Sequence, residues 1–459
     1  MQKKTLKYFF EPESVAIIGA SKTPGKAGNE ILKNLLANEF RGKIFPVNPT
    51  EEEIMGFKSF PSVKEIREKI DLAVFIVPAE KTVEPLRECA EKKVPAVVIS
   101  SGGYAEVGEA GAKLQEQILR IAKAAGMRII GPNTSGITST PAKLTTTFFP
   151  LGKIRRGPIS YIAQTGNFAT HTMKWILTAE NFGVARVAGL GNKIDVDDAD
   201  ILEYLGDDPE TKAVLMYVEG FKDARRFLMM AKEVTKKKPV IVLKGGKTKA
   251  GAARAFTHTA SLAGDEKVIA GAFQQAGLLQ VKRYADLINV GKYIAFQPMP
   301  RGRNVCALAP SGALGVVIAD ACETAGLKMV AFSSETERKL REISASWVKI
   351  SNPVDMSAVT PILGRVKAYE AVLEILLRED KSDIIVPILL AAPDIPTEEY
   401  SFLPELASRY PQKAILISFT GDKLTYEKMR TYLEEKSLPV FYPLEDIFEV
   451  LSVVSQYKR

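Results

Sequence analysis

Ser14-Val15-Ala16-Ile17-Ile18-Gly19-Ala20-Ser21-Lys22-Thr23-Pro24-Gly25-Lys26-Ala27-Gly28 is the stretch that decides how the chain is read. Its apolar, β-branched run predicts a buried strand, the glycines supply a tight turn, and the residues from Ala27 onward open a helix. A strand ending in such a turn aims main-chain N–H groups and a helix N-terminus at one point, which favours a bound anion. Lys22 and Lys26 stand where they could neutralise phosphates. Two readings remain open for the turn: a site for a phosphate-bearing cofactor, or a plain tight turn. Its glycine spacing is not GxGxxG, and a nicotinamide dinucleotide would need an acid about 20 residues on, at the end of the second strand. That strand ends in Asn48-Pro49, so NAD is not expected.

The same strand-turn-helix unit recurs downstream. Strands are predicted at Ser14–Ile18, Lys43–Val47, Leu72–Val77, Ala96–Ser100 and Met127–Ile130, with amphipathic helices between them. Repeated βα units imply a doubly wound parallel sheet whose ligands bind at the carboxyl ends of the strands. Those ends carry Gly19, Ser21, Asn48, Pro78, Ser101 and Asn133, small or polar residues converging on one edge. The Thr- and Pro-rich stretch Thr138–Pro158 reads as a linker. A second series follows at Ile159–Ala163, Arg186–Gly189, Ala213–Tyr217 and Val240–Leu243. After a break at Gln297–Gly302 comes a third, at Val305–Leu308, Lys328–Ala331, Ile384–Leu390 and Ala414–Ser418. Three α/β domains are expected, at 1–137, 138–298 and 299–459, matching a length of roughly 150 residues per domain. The second and third look like diverged copies, since Ser160–Asn167 and Val305–Ala313 each read strand, Ser/Thr-Gly turn, helix.

Composition narrows the function classes. At 46% hydrophobic and 25% charged residues the chain is an ordinary globular protein, not a disordered one. Its longest apolar stretch, Ile384–Ala392, is interrupted by Pro387 and falls short of the roughly 20 residues of a membrane span. The first ten residues lack the apolar core of a signal peptide, so the expected compartment is the cytoplasm, with no membrane association. A net charge of +8 is spread along helices among acids, which suits small anions better than nucleic acid, and none is expected as a partner. Cys89, Cys306 and Cys322 are far apart and form no CxxC, so they read as structural thiols and no metal site is expected. With only His171 and His258 present, any imidazole chemistry rests on one of the two.

Lys244-Gly245-Gly246-Lys247-Thr248 resembles the end of a P-loop, but Ile241 stands where a Walker A motif needs glycine, so the chain is not expected to grip ATP alone. His258 lies among small, hydroxyl-bearing residues past the strand that ends at Leu243. A lone histidine is commonly packed or superficial. In this setting it also suits a nucleophile, because an imidazole with a pKa of about 6.5 is largely neutral at pH 7 and can attack phosphorus. A helix start suited to phosphate occurs in the same domain at Gln164-Thr165-Gly166-Asn167. Glu219, at the end of a predicted buried strand, is either a solvated loop acid or a carboxylate that fixes an imidazole tautomer. His171, inside the helix after the Gln164–Asn167 turn, reads as structural or as a support to the site residues. Asp195, Asp197, Asp198 and Asp200 suggest magnesium or, equally, the cap of a helix.

Together these stretches resemble the α subunits of the ADP-forming acyl-CoA synthetases, relatives of succinyl-CoA synthetase. The motifs that carry the resemblance include Val15–Ser21, Phe45–Pro49, Gly131–Gly136, Gln164–Asn167, Leu190–Lys193, Tyr217–Gly220 and His258–Thr259 with Leu262–Gly264. The resemblance implies a Rossmann-like coenzyme A domain followed by two flavodoxin-like domains. It implies that His258 carries a phosphoryl group, that Glu219 steadies it, and that Gln164, Thr165, Gly166 and Asn167 cradle phosphate. Coenzyme A would contact Gly19, Ser21, Lys22, Gly25, Lys26, Asn48, Pro78, Ser101 and Asn133. The nucleotide-binding ATP-grasp module is absent, so ATP/ADP and Mg2+ would belong to a partner β subunit, in an α2β2 heterotetramer. The implied reaction interconverts acyl-CoA, ADP and phosphate with a small carboxylic acid, ATP and CoA. Ala260 replaces the family's loop glycine, and Ser311–Gly315 replaces its Gly-Gly-Pro-Gly turn. The first departure keeps open an alternative, a catalytically inactive CoA or nucleotide sensor of the same fold.

Overall fold

A computed structural model gives the architecture and describes residues 2–251, 253 and 265–457. The chain forms two compact units, Met1–Lys282 and Arg283–Arg459. The first unit holds two sheets. One contains β1 (Ser14–Ile18), β2 (Lys43–Val47), β5 (Leu72–Phe75), β6 (Ala96–Ile99) and β7 (Arg128–Ile130), all parallel, in the order β2-β1-β5-β6-β7. Between β2 and β5 lies the small hairpin β3 (Glu53–Ile54) and β4 (Phe57–Lys58). Beyond β2 a single parallel bridge joins Val47 to Phe60, the remnant of a further strand. This is the Rossmann order with its third strand reduced to one residue. Every residue of β1 is buried, as its apolar run requires.

The second sheet contains β8 (Ile137–Ser139), β9 (Leu144–Thr145), β10 (Arg156–Ala163), β11 (Val184–Gly189), β12 (Ala213–Val218), β13 (Val240–Lys244) and β14 (Leu279–Val281), in the order β14-β13-β12-β10-β11-β8-β9. Here the sequence reading needs correction, because Thr138–Pro158 is not a linker. Its start pairs antiparallel with β11, through Arg186–Ser139, Val187–Thr138 and Ala188–Ile137, and β9 closes the edge. Threonine suits strands as well as loops. Thr138 and Thr145 satisfy each other's hydroxyls across the pair at 2.8 Å, which lets a polar stretch be buried.

The α-helices described in this unit are α1 (Gln2–Phe10), α2 (Ala27–Ala37), α3 (Val83–Glu91), α4 (Glu109–Ala125), α5 (Gly166–Ala179), α6 (Asp198–Asp207), α7 (Ala224–Thr235) and α8 (Glu266–Gln275). The two sheets share one apolar core that includes Val15, Ile17, Val74, Ile162, Ala188 and Val214. Hydrogen bonds also join them directly. The N–H groups of Asn192, Ile194 and Val196 donate to the carbonyls of Pro132, Gly131 and Ile129 at 2.9, 3.3 and 3.1 Å. Asp195 accepts from the Ile129 N–H and from Arg128 Nε, both at 2.8 Å.

The second unit carries a sheet of β15 (Asn304–Ala309), β16 (Lys328–Met329), β18 (Ile384–Ala391), β20 (Ile417–Gly421) and β21 (Val440–Phe441), in the order β16-β15-β18-β20-β21. Two short strands, β17 (Val354–Asp355) and β19 (Ala414–Ile415), lie beside β15 and β18. Counted within each repeat, β11-β10-β12-β13-β14 and this sheet both run 2-1-3-4-5, as two copies of one unit would. The helix α9 (Tyr284–Phe296) belongs here: its buried Lys292 pairs with Glu434 at 3.1 Å and donates to the Val440 carbonyl at 2.7 Å.

Candidate active site

The turn after β1 is built by close approach. Gly19 has φ +94°, and a Cβ there would lie 2.7 Å from the Ile76 carbonyl oxygen. Gly28, in the first turn of α2, comes nearer still, since its Cβ would stand 2.1 Å from the Gly19 oxygen. Strand end and helix start are thereby pressed together, with the α2 N-terminus over the carboxyl edge of the sheet. Asn48 bridges two strand ends by donating from Nδ2 to the Ala20 carbonyl at 2.8 Å. Ser21 Oγ accepts from the Thr23 N–H at 3.1 Å, Gly25 takes φ +82°, and Lys26 is the extended residue before α2. Lys22 forms an ion pair with Glu51 at 2.8 Å on the surface. Pro78 leads the 3-10 turn Ala79–Lys81 after β5.

At the other end of this edge, Asn133 has φ +60° and donates its N–H to the Ser101 carbonyl at 2.9 Å. The loop Gly131–Gly136 then meets the second sheet. Thr134 Oγ1 donates to the Gly189 carbonyl at 2.5 Å and accepts from the Gly136 N–H at 3.0 Å. Gly166, the first residue of α5, is where this loop touches the helix start, for a Cβ on it would lie 2.5 Å from the Ser135 nitrogen. Thr165, at the N-cap, makes no capping hydrogen bond with its side chain. Gly166 and Asn167 form the start of α5.

A small cavity of about 150 Å³ results, lined by Ser100 and Asn133 from the first sheet and by Gln164, Thr165 and Gly166 from the second. Phe148 and Asn192 also line it. Thr134 and Ser135 belong to the Gly131–Gly136 turn read from the sequence, without a role of their own there, and Ser100 is read only as the end of a strand. The Ser100 hydroxyl is buried and has no hydrogen-bond partner among the described residues. The Ser100-Ser101 run after β6 is the available signal, and the sequence alone points to Ser101.

Glu219 follows β12 and is buried. Its N–H and that of Gly220 both donate to Gln164 Oε1, at 2.8 and 3.0 Å. Tyr217 donates its hydroxyl to Glu219 Oε1 at 3.1 Å, and its ring stacks on Phe168 at 4.0 Å. Burial, reinforced by the Glu219 charge, holds that phenol protonated far above neutral pH. His258 and its loop lie outside the described residues.

Two of the four acids, Asp197 and Asp200, cap α6, and the other two are held by partners elsewhere in the unit. Asp197 is the N-cap of α6 and accepts from the Ala199 and Asp200 N–H groups, while Asp200 completes the capping box. Arg128, Lys193 and Arg226 take up their charges, Arg128 on Asp195 and Asp200, Lys193 on Asp198, and Arg226 on Asp197 and Asp200. Among the described residues no group of three or more His, Cys, Asp or Glu could hold a metal ion. None of the helices described is long and apolar enough to cross a membrane.

Two family models match the first unit and reach into α9: a CoA binding domain over residues 13–140, and a succinyl-CoA ligase like flavodoxin domain over 156–294. The α subunit of ADP-forming acetate–CoA ligase II of Pyrococcus furiosus is 38% identical over 447 residues, covering 96% of this chain and 95% of that one. The α subunit of its isoenzyme I is 37% identical, with 99% and 98% covered. Among solved structures, acetyl-coenzyme A synthetase 1 of Ca. Korarchaeum cryptofilum, in complex with phosphate and ADP, superposes with a TM-score of 0.91 at 29% identity, covering 98% of this chain and 96% of that one. Sequence, strand order and the joined edge of the two sheets therefore agree: the chain belongs to the family of the α subunits of ADP-forming acetate–CoA ligases.

Proposed function

We propose that the chain catalyses the reversible conversion of acyl-CoA, ADP and phosphate to a small carboxylic acid, ATP and CoA, as the α subunit beside a nucleotide-binding partner. The observation that carries this reading is the cavity common to the strand ends of the first sheet and the start of α5. Coenzyme A lies along the first edge, against Gly19, Ser21, Lys22, Gly25, Lys26, Asn48, Pro78, Ser101 and Asn133. Phosphate lies at Gln164, Thr165, Gly166 and Asn167, where the helix N-terminus favours its charge. A phosphate oxygen attacks the thioester carbon, the C–S bond breaks, and CoA leaves as the thiolate. A ring nitrogen of His258 then attacks phosphorus, the P–O bond to the acyl group breaks, and the carboxylate departs. In the third step a β-phosphate oxygen of ADP attacks the same phosphorus, the P–N bond breaks, and ATP forms. Glu219 stabilises the charged phosphoimidazole, and preorganised N–H donors stabilise the phosphoryl oxygens in the first two steps.

Nucleotide and magnesium belong to a partner β subunit of ATP-grasp type in an α2β2 assembly, and the compartment is the cytoplasm. Functionally we divide the chain at 1–137, 138–298 and 299–459, with the third domain as scaffold. The test is the intact mass of the chain, purified with its copurifying partner, before and after Mg-ATP, beside a reconstituted His258→Ala control. One acid-labile, alkali-stable phosphoryl group is expected, absent from the control. No gain, with nucleotide bound to the partner and CoA still bound to the chain, would sink the proposal in favour of the inactive sensor.

A further inference from the structure

The Lys244–Thr248 motif is not a nucleotide loop, yet its first residue is costly. Lys244 ends β13, is buried, and donates from Nζ to the Glu219 carbonyl at 2.7 Å and to that of Gly245. Lys193, also buried, follows β11 and donates to the Gly220 carbonyl at 2.8 Å and to Asp198 at 2.7 Å. With Gln164 accepting from both N–H groups, all four main-chain polar groups of Glu219-Gly220 end on buried side chains. These side chains come from three places in the sheet, the loops after β10 and β11 and the last residue of β13. Gly245 completes the arrangement, since a Cβ on it would stand 2.8 Å from the Tyr217 hydroxyl that reaches Glu219.

Water could satisfy two loop carbonyls at no desolvation cost. Burying two ammonium groups for the purpose is expensive, and a buried charge is weak support for stability alone. Burial pulls the Lys244 pKa below the ordinary lysine range, opposed by the charges of Glu266 and Glu219. What the arrangement does supply is fixity: a carboxylate serving as partner to an imidazole must be held within about 0.5 Å of its working position. We infer that Lys193 and Lys244 are positioning residues of the phosphoryl-transfer step, clamping the Glu219-Gly220 main chain so that the Glu219 carboxylate keeps its working position. This rests on the proposed roles of His258 and Glu219.

The experiment compares phosphoryl gain from Mg-ATP in the complex with its partner for the native chain, Lys244→Ala, Glu219→Gln and His258→Ala. Lys244→Ala is expected to slow the gain by roughly 10–100-fold, the usual loss for an outer supporting group, with the KM for Mg-ATP unchanged. Ethylammonium in the buffer should restore much of that rate in Lys244→Ala and none in Glu219→Gln. A native rate in Lys244→Ala overturns the inference while leaving the underlying reading intact. So does a slowed rate that ethylammonium does not rescue and a lowered thermal midpoint accompanies, since the lysine then only supports the fold. Phosphoryl gain by His258→Ala would instead overturn the reading on which the inference rests.

Discussion

Two glycines of one turn differ in what a methyl group would meet, and the difference predicts two kinds of mutant. At Gly25 a Cβ meets no atom of the chain within 4 Å, so Gly25→Ala costs the fold only the strain of φ +82°, about 1–2 kcal/mol. At Gly28 the same carbon lies 2.1 Å from the Gly19 oxygen, and α2 must move off the strand end. Gly28→Ala should therefore weaken CoA binding by an order of magnitude or more and cost more than Gly25→Ala, as paired titration and thermal melts would show. Native CoA affinity in both variants would mean that the turn does not hold the cofactor. The glycines were legible in the sequence because a turn after a strand demands them. Lys193 and Lys244 were not, because their meaning lies in carbonyls of a loop that only the sheet order brings alongside.

Among the elements, α6 has the N-cap with the fullest set of partners on one side chain, two main-chain N–H groups and a guanidinium. Asp197 accepts two main-chain N–H groups and faces Arg226 through both oxygens, at 2.9 and 3.0 Å. Asp197→Ala should cost about 2 kcal/mol, the upper end for an N-cap, measured as a shift in urea midpoint at constant slope. A change within 0.5 kcal/mol would show the cap to be idle. The strands were readable as elements because buried β-branched runs are bounded by glycine, proline and polar turns. β8 and β9 escaped because Thr138, Thr145 and Thr146 carry the composition of a loop, and only cross-strand hydroxyl pairing and a place on the β11 edge make them strand. The same logic divided the site: strand ends and the α5 start were visible locally, whereas their sharing of one cavity comes from the Gly131–Gly136 loop meeting Gly166.

At the scale of the whole chain, each compact unit owns a core and its own buried thiols. Cys89 lies in the first unit, Cys306 and Cys322 in the second, and none is accessible. Burial lifts Cys306 to about 12 and Cys322 to about 11, from an ordinary 9.0. The unfolded chain releases these protons above pH 9 while the folded one retains them, so the second unit should lose stability as pH rises from 9 toward 11–12. Residues 283–459 expressed alone should melt cooperatively, leave both thiols unlabelled by iodoacetamide at pH 8, and lose this pH dependence in a Cys306→Ala/Cys322→Ala double variant. Labelling of the native fragment would show that its core is incomplete. The first unit does not divide so cleanly, although a family model covers its residues 13–140. β7 is the last strand of its sheet, and the segment Asn192–Val196 occupies the side that would otherwise be open. A fragment ending near residue 140 would bare the carbonyls of Ile129, Gly131 and Pro132 as an unpaired edge, a template on which other copies can add strands. The join between the sheets thus also guards the chain against aggregation, and whatever loosens it turns a binding edge into a sticky one.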